Sequence, residues 1–189
     1  TNYPEGQSEL LTVENNPLRP EDGEREITFS RNLYIEAEDF LEVPVPKYKR
    51  LTPNGLECRL KGAYLIKCTG CVKDESGKIV EIHGTWDPES WGGNAADGRK
   101  VKGTIHWVDC ATGVKAEVRL YDRLFTEKNP LKDGPSEFLK YMNPDSLKVV
   151  EAYVEPALAE AKGLDHFQFE RTGYFVADEF DSKPGAPVF

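Results

Sequence analysis

Between Val114 and Leu120 apolar and charged side chains alternate without a break (Val-Lys-Ala-Glu-Val-Arg-Leu). Only a strand puts successive side chains on opposite faces, so this stretch is read as half-buried β structure. Shorter runs repeat the theme: Ile27–Ser30, Leu33–Ile35, Ala63–Ile66, Ile79–Ile82, Thr104–Val108 and Phe167–Phe169, all rich in branched or aromatic residues. Turn residues punctuate them. Lys73-Asp-Glu-Ser-Gly-Lys78 predicts a hairpin turn, and Asp109-Cys-Ala-Thr-Gly113 predicts a second.

Helical signals are short. Asp39-Phe-Leu41 allows a turn or two. Pro135–Tyr141 and Pro156–Lys162 each read as one short helix with proline in its first turn, the second stopped by Gly163. Many short strands with isolated helical turns imply an all-β fold of barrels or a sandwich. Trp86–Gly98, rich in Gly and Asp, reads as a long surface loop.

At 189 residues the chain suits one large domain or two small ones. A hydrophobic fraction of 39% and a mean hydropathy of −0.56 describe a soluble protein with no apolar run near the ~20 residues of a membrane span. The start, Thr-Asn-Tyr-Pro-Glu-Gly, has no secretory character and no initiator Met, which implies the downstream part of a longer chain. Four cysteines do not make a disulfide framework, and one CxxC pair (Cys68, Cys71) lacks a second pair of ligands at a zinc spacing. Reduced thiols in a cytoplasmic protein, with no bound metal, are therefore expected.

The net charge of −9 is uneven. Residues 1–43 carry 3 basic and 11 acidic side chains, residues 44–102 carry 11 and 7, and residues 103–189 carry 10 and 15. The middle third alone is net basic, at +4, and is the part suited to a phosphate-facing surface. Within it, Lys47-Tyr-Lys-Arg50 interleaves cations with an aromatic ring, a combination that neutralises phosphate and stacks bases, or that simply forms a solvated basic turn. Arg59 and Lys61, two apart, leave the same face of a strand and form either a base-and-phosphate pocket or an outward polar stripe. His83, His106 and His166 lack nucleophile or carboxylate partners at a motif spacing, and no phosphate-cradling Gly-rich loop is present. No catalytic residue is expected.

Five blocks in order across the chain carry a resemblance: Tyr48-Lys-Arg-Leu51, Arg59-Leu-Lys-Gly-Ala-Tyr64, Asp97-Gly-Arg-Lys-Val-Lys-Gly-Thr-Ile-His-Trp-Val108, Glu117–Phe125 and Phe167-Gln-Phe-Glu-Arg-Thr-Gly-Tyr-Phe175. Together they resemble the C-terminal anticodon-binding half of glutaminyl-tRNA synthetases. The resemblance implies two antiparallel β-barrels, a distal one over residues 25–103 and a proximal one over 1–24 plus 104–189. It also implies that the Rossmann-type catalytic half, which activates glutamine with ATP, lies outside this chain. The partner implied is the anticodon stem-loop of tRNA(Gln), with neither DNA nor membrane.

By the same resemblance, Lys49 and Arg50 match residues that read anticodon bases, Arg50 at the third, where a planar guanidinium suits guanine. Gln168 and Arg171 match the pair that reads the middle base, the Gln amide fitting the edge of uracil. A spacing of three sets those two on opposite faces of a regular strand, so joint contact requires the strand to bend or end near Glu170. At position 61 the family more often has Arg than the Lys found here. Three rival readings share parts of the pattern: the matching half of an archaeal or eukaryotic-type glutamyl-tRNA synthetase, a ribosomal 5S-RNA-binding barrel protein, and a carbohydrate-binding module using Trp86, Trp91 and Trp107.

Overall fold

The alternation at Val114–Leu120 folds as expected. In a computed structural model describing residues 1–53 and 55–189, Val114–Tyr121 is a strand with Ala116 and Val118 buried and Lys115 exposed. In chain order the strands are β1 (Ser8–Glu14), β2 (Glu24–Ser30), β3 (Leu33–Tyr34), β4 (Glu57–Leu60), β5 (Leu65–Lys73) and β6 (Ile79–Asp87). They continue as β7 (Gly103–Ile105), β8 (Val108–Asp109), β9 (Val114–Tyr121), β10 (Leu147–Val154), β11 (His166–Phe169) and β12 (Gly173–Val176). Helix is confined, among the described residues, to single 3-10 turns such as Ala37–Asp39, Phe138–Tyr141 and Pro156–Glu160. The helix expected from Pro135 thus begins at Phe138, whereas Pro156 does open its turn.

The chain divides into two compact units, Thr1–Gly113 and Val114–Phe189. β1 pairs antiparallel with β2 along seven residues, and Thr104 of β7 pairs with Arg59 of β4, so ladders run across residues 24/25 and 103/104. The Asp109–Gly113 turn forms, with the Asp109 carboxylate accepting from Ala111 N and Thr112 N, but it does not close a hairpin. β8 pairs with β3, whereas β9 pairs with β10. Lys73–Lys78 does close the β5–β6 hairpin, with Asp74 Oδ1 accepting from Ser76 N and Lys78 N.

The first unit is built on the four-stranded order β6-β5-β4-β7 plus the β1-β2 and β3-β8 pairs. β4 and β7 run parallel, a departure from the purely antiparallel expectation. Among the described residues none of these ladders closes on itself. Leu11, Leu51, Leu60, Leu65 and Ile105 are fully buried, and Phe29 packs edge-on against Tyr3 and Trp107, at 5.2 and 5.3 Å between ring centres. Trp86 packs on Tyr64 at 4.7 Å, so Trp86 and Trp107 are in or against the core, whereas Trp91 is exposed.

The second unit holds its core between β9–β10 and the β11–β12 hairpin. Ala116, Val118, Val154, Ala177 and Phe189 are buried there, with Phe167, Phe169 and Phe175 packed against them. The C-terminal tail runs parallel beside β9, Arg119 N donating to Phe189 O at 2.7 Å. No described helix is long and apolar enough to cross a membrane.

Candidate RNA interface

The basic segment Lys47–Arg50 runs along the first unit. Lys47 takes a left-handed backbone conformation (φ 70°), which turns the chain so that Lys49 is exposed and Arg50 half-buried. Tyr48 Oη donates to Glu38 O at 3.0 Å, fixing the ring against the 3-10 turn. Arg50 Nη1 lies 3.4 Å from the same carbonyl and 3.3 Å from Oδ1 of Asp39, a carboxylate with no exposed surface. One end of the guanidinium is therefore held by the protein, and about a third of the side chain stays open to solvent.

Gly103 brings this segment to β4. A Cβ built on Gly103 meets the Lys49 carbonyl oxygen at 2.0 Å and Cys58 Sγ at 3.0 Å, so no side chain fits. The next β7 residue, Thr104, stands opposite Arg59. The two cationic pairs predicted from sequence thus lie beside one strand.

Arg59 is half-buried and already engaged. Its Nε donates to Gly93 O at 2.5 Å and its Nη1 to Thr104 Oγ1 at 3.2 Å. Lys61 does not share a strand face with Arg59, because β4 ends at Leu60 and Lys61 lies in the turn 60–63. Gly62, at φ 69°, permits that turn, and the Lys61 backbone is fixed by Trp107 Nε1 donating to Lys61 O at 3.0 Å. The Lys61 side chain is exposed.

In the second unit, β11 alternates as expected: Phe167 and Phe169 turn inward and Gln168 outward. The strand ends at Phe169, and Arg171 takes φ 64° in the three-residue connection to β12. The chain therefore ends its strand just before Glu170, as joint use of Gln168 and Arg171 requires. Both side chains are exposed.

Two family models match the chain, both described as tRNA synthetases class I (E and Q), anti-codon binding domain: one over residues 1–87, the other over 104–178. The chain belongs to this family. Glutamine–tRNA ligase of Clostridium kluyveri is 51% identical over 189 residues, covering all of this chain and 34% of that protein. The glutamine–tRNA ligases of Cupriavidus necator and Pseudomonas syringae pv. tomato are each 53% identical, with 32% and 33% of those proteins covered. The chain thus spans about one third of the length of these curated relatives.

For an anticodon-binding domain, the block that carries the resemblance most clearly is occupied mainly with architecture. Asp97 Oδ1 accepts from Arg99 N at 3.0 Å, and Gly98 (φ 74°) supplies the turn. Arg99 forks onto Glu57 at 2.7 and 2.9 Å and reaches Asp87 at 2.7 Å, tying the loop after β6 to β4. Those carboxylates push the Arg99 guanidinium pKa still further up. Ile105 and Trp107 are core, leaving Lys100 and Lys102 exposed. Cys58 and Cys68 are core thiols, and burial pushes the Cys68 thiol pKa up. Asp39, Gly103 and the exposed Tyr174 carry no signal in the sequence: an acidic residue, a glycine and an aromatic in isolation gain meaning only once their neighbours are placed.

Proposed function

We propose that this chain is the anticodon-recognition part of a glutamine–tRNA ligase. It grips the anticodon stem-loop of tRNA(Gln), so that a catalytic portion beyond this chain attaches glutamine using ATP in the cytoplasm. The observation that carries the reading is identity above 50% to glutamine–tRNA ligases along the whole chain, with the matched cations Lys49, Arg50, Arg59 and Lys61 in the net-basic third. In this reading the first unit forms the core of the distal barrel and the second that of the proximal barrel. The chain itself supplies positioning, and no bond is made or broken on it.

The chemistry divides by base. Arg50, anchored at one end by Asp39, presents the rest of its fork to the guanine at the third position, whose O6 and N7 accept two hydrogen bonds. Gln168 offers a donor and an acceptor to the middle uracil. Lys49 serves with Arg50, and Arg171 with Gln168, at the bases they read, while Lys61 neutralises phosphate, which positions the loop.

By the genetic code, glutamine and glutamate anticodons differ at the third base, guanine against cytosine. The test is aminoacylation of tRNA(Gln) by the full-length protein, compared with the same tRNA carrying cytosine there. Loss of charging with glutamine is expected. Equal charging of both, or a preference for cytosine, refutes the assignment.

A further inference from the structure

The β11–β12 hairpin spends its aromatic residues unevenly. Phe169 and Phe175 stack at 4.4 Å with 23° between their planes, and Phe167 and Phe169 both meet the Phe189 ring edge-on. These inward rings fill the core. Tyr174 takes no part in it: the side chain is 84% exposed, and its hydroxyl has no hydrogen-bond partner among the described residues. A strand of an isolated soluble unit gains little from holding so large an apolar surface in water.

Register explains where the ring stands. Gln168 pairs directly with Tyr174 across the hairpin, and His166 with Val176, so all four side chains leave the same outward face. Directly opposed residues have Cβ atoms ~5 Å apart, close enough to act on one ligand. His166, Gln168, Tyr174 and Val176 border a shallow depression that is open to solvent. The Gln168 amide, like the Tyr174 hydroxyl, has no partner among the described residues.

We infer that Tyr174 is the stacking surface for the base whose edge Gln168 reads. An amide alone discriminates poorly in water, because solvent competes for both of its hydrogen bonds. A ring beside it covers one face of the base, orients the base edge toward the amide and excludes water on that side. The division of labour follows from the chemistry. Stacking is tolerant of base identity, so Tyr174 supplies affinity, whereas the amide supplies preference.

This inference rests on the proposed anticodon function, and its experiment separates the two. Binding by the full-length protein is measured for tRNA(Gln), for middle-base variants, and for tRNA(Gln) with an abasic middle nucleotide. Tyr174→Ala is expected to weaken all base-bearing tRNAs about tenfold and to leave the abasic tRNA unchanged, while Tyr174→Phe stays near wild type. Far-UV circular dichroism checks that truncating this exposed ring leaves the fold intact. If Tyr174→Ala lowers affinity for the abasic tRNA equally, or has no effect, the stacking role is wrong. If wild-type protein shows no preference for tRNA(Gln) over other tRNAs, the anticodon function itself fails, whatever Tyr174 does.

Discussion

Gly103 is the point where the fold meets the segment proposed to face RNA, so Gly103→Ala is the most informative single substitution. Its backbone is not left-handed; what excludes a side chain is space. An added Cβ falls 2.0 Å from the Lys49 carbonyl oxygen and 3.0 Å from Cys58 Sγ, against a normal carbon–oxygen contact of about 3.2 Å. Backbone on one side and a core thiol on the other leave no flexible group to move. Either the Lys47–Arg50 segment shifts by about 1 Å, or the parallel β4–β7 pairing opens. Overpacking of this kind costs roughly 1–3 kcal/mol, and a backbone obstacle puts Gly103→Ala at the upper end. For a unit of this size, ~2–3 kcal/mol lowers Tm by about 8–12 °C. All three tryptophans lie in the first unit, so their fluorescence during heating reports that unit alone. Gly70→Ala is the control: its added Cβ meets nothing within 4 Å, and its φ is unexceptional, so Tm should hold or rise slightly. A Gly103→Ala protein melting within 1 °C of wild type would show that the segment yields freely, and the argument that Gly103 fixes the cationic pairs would be lost.

Four other outcomes follow from the same geometry. Arg50→Ala should cost ~1–3 kcal/mol against cognate tRNA in the full-length protein, and less when the third base is already wrong; strict additivity in that double-mutant cycle would reduce Arg50 to a backbone contact. Gln168→Ala should relax preference at the middle base alone, and unchanged ranking of middle-base variants would return Gln168 to a solvated strand position. Burial, reinforced by hydrogen bonds to Glu9, pushes the Tyr3 and Tyr64 hydroxyls up to about 12, so between pH 10 and 12 the folded unit holds protons that the unfolded chain has released; stability is undiminished below pH 10 and falls above it, a loss that Tyr3→Phe with Tyr64→Phe should flatten in alkaline unfolding curves. Arg99→Lys cannot reproduce the fork onto Glu57 and Asp87, so proteolysis within residues 88–98 should quicken while the rest of the chain stays resistant, and an unaltered cleavage rate would discard the clamp.

The all-β class was legible because alternation and turn chemistry are local. Val114–Leu120, the Asp74 turn and the Pro156 turn each follow from a few neighbouring residues, and each appears where sequence places it. The pairings were less legible. β3 is two residues long and finds β8 more than 70 residues away, and β4 meets β7 in parallel, an arrangement no hairpin signal announces. β10 carries Lys148-Val-Val-Glu151, whose adjacent valines break the alternation that marks β9, although the two strands pair over eight residues. The same-face argument for Arg59 and Lys61 failed because periodicity was extended one residue past the strand's end, into a turn that Gly62 makes possible.

The candidate site divides in a similar way. Cations and an amide were legible because their chemistry toward RNA is intrinsic to the side chain. The residues that aim them were not: Asp39 acts by being fully buried behind Arg50, and Gly103 by lacking a side chain beside Lys49. This also explains why the most diagnostic block, Asp97–Val108, reads no base in the proposed function. Arg99 binds three carboxylates, Gly103 admits a carbonyl, and Trp107 holds the Lys61 backbone. Each of these roles requires one residue type at one place, since neither a Lys nor an alanine has the required shape. A signature so composed identifies the scaffold, and it is the scaffold that sets Lys49, Arg50 and Arg59 beside one strand.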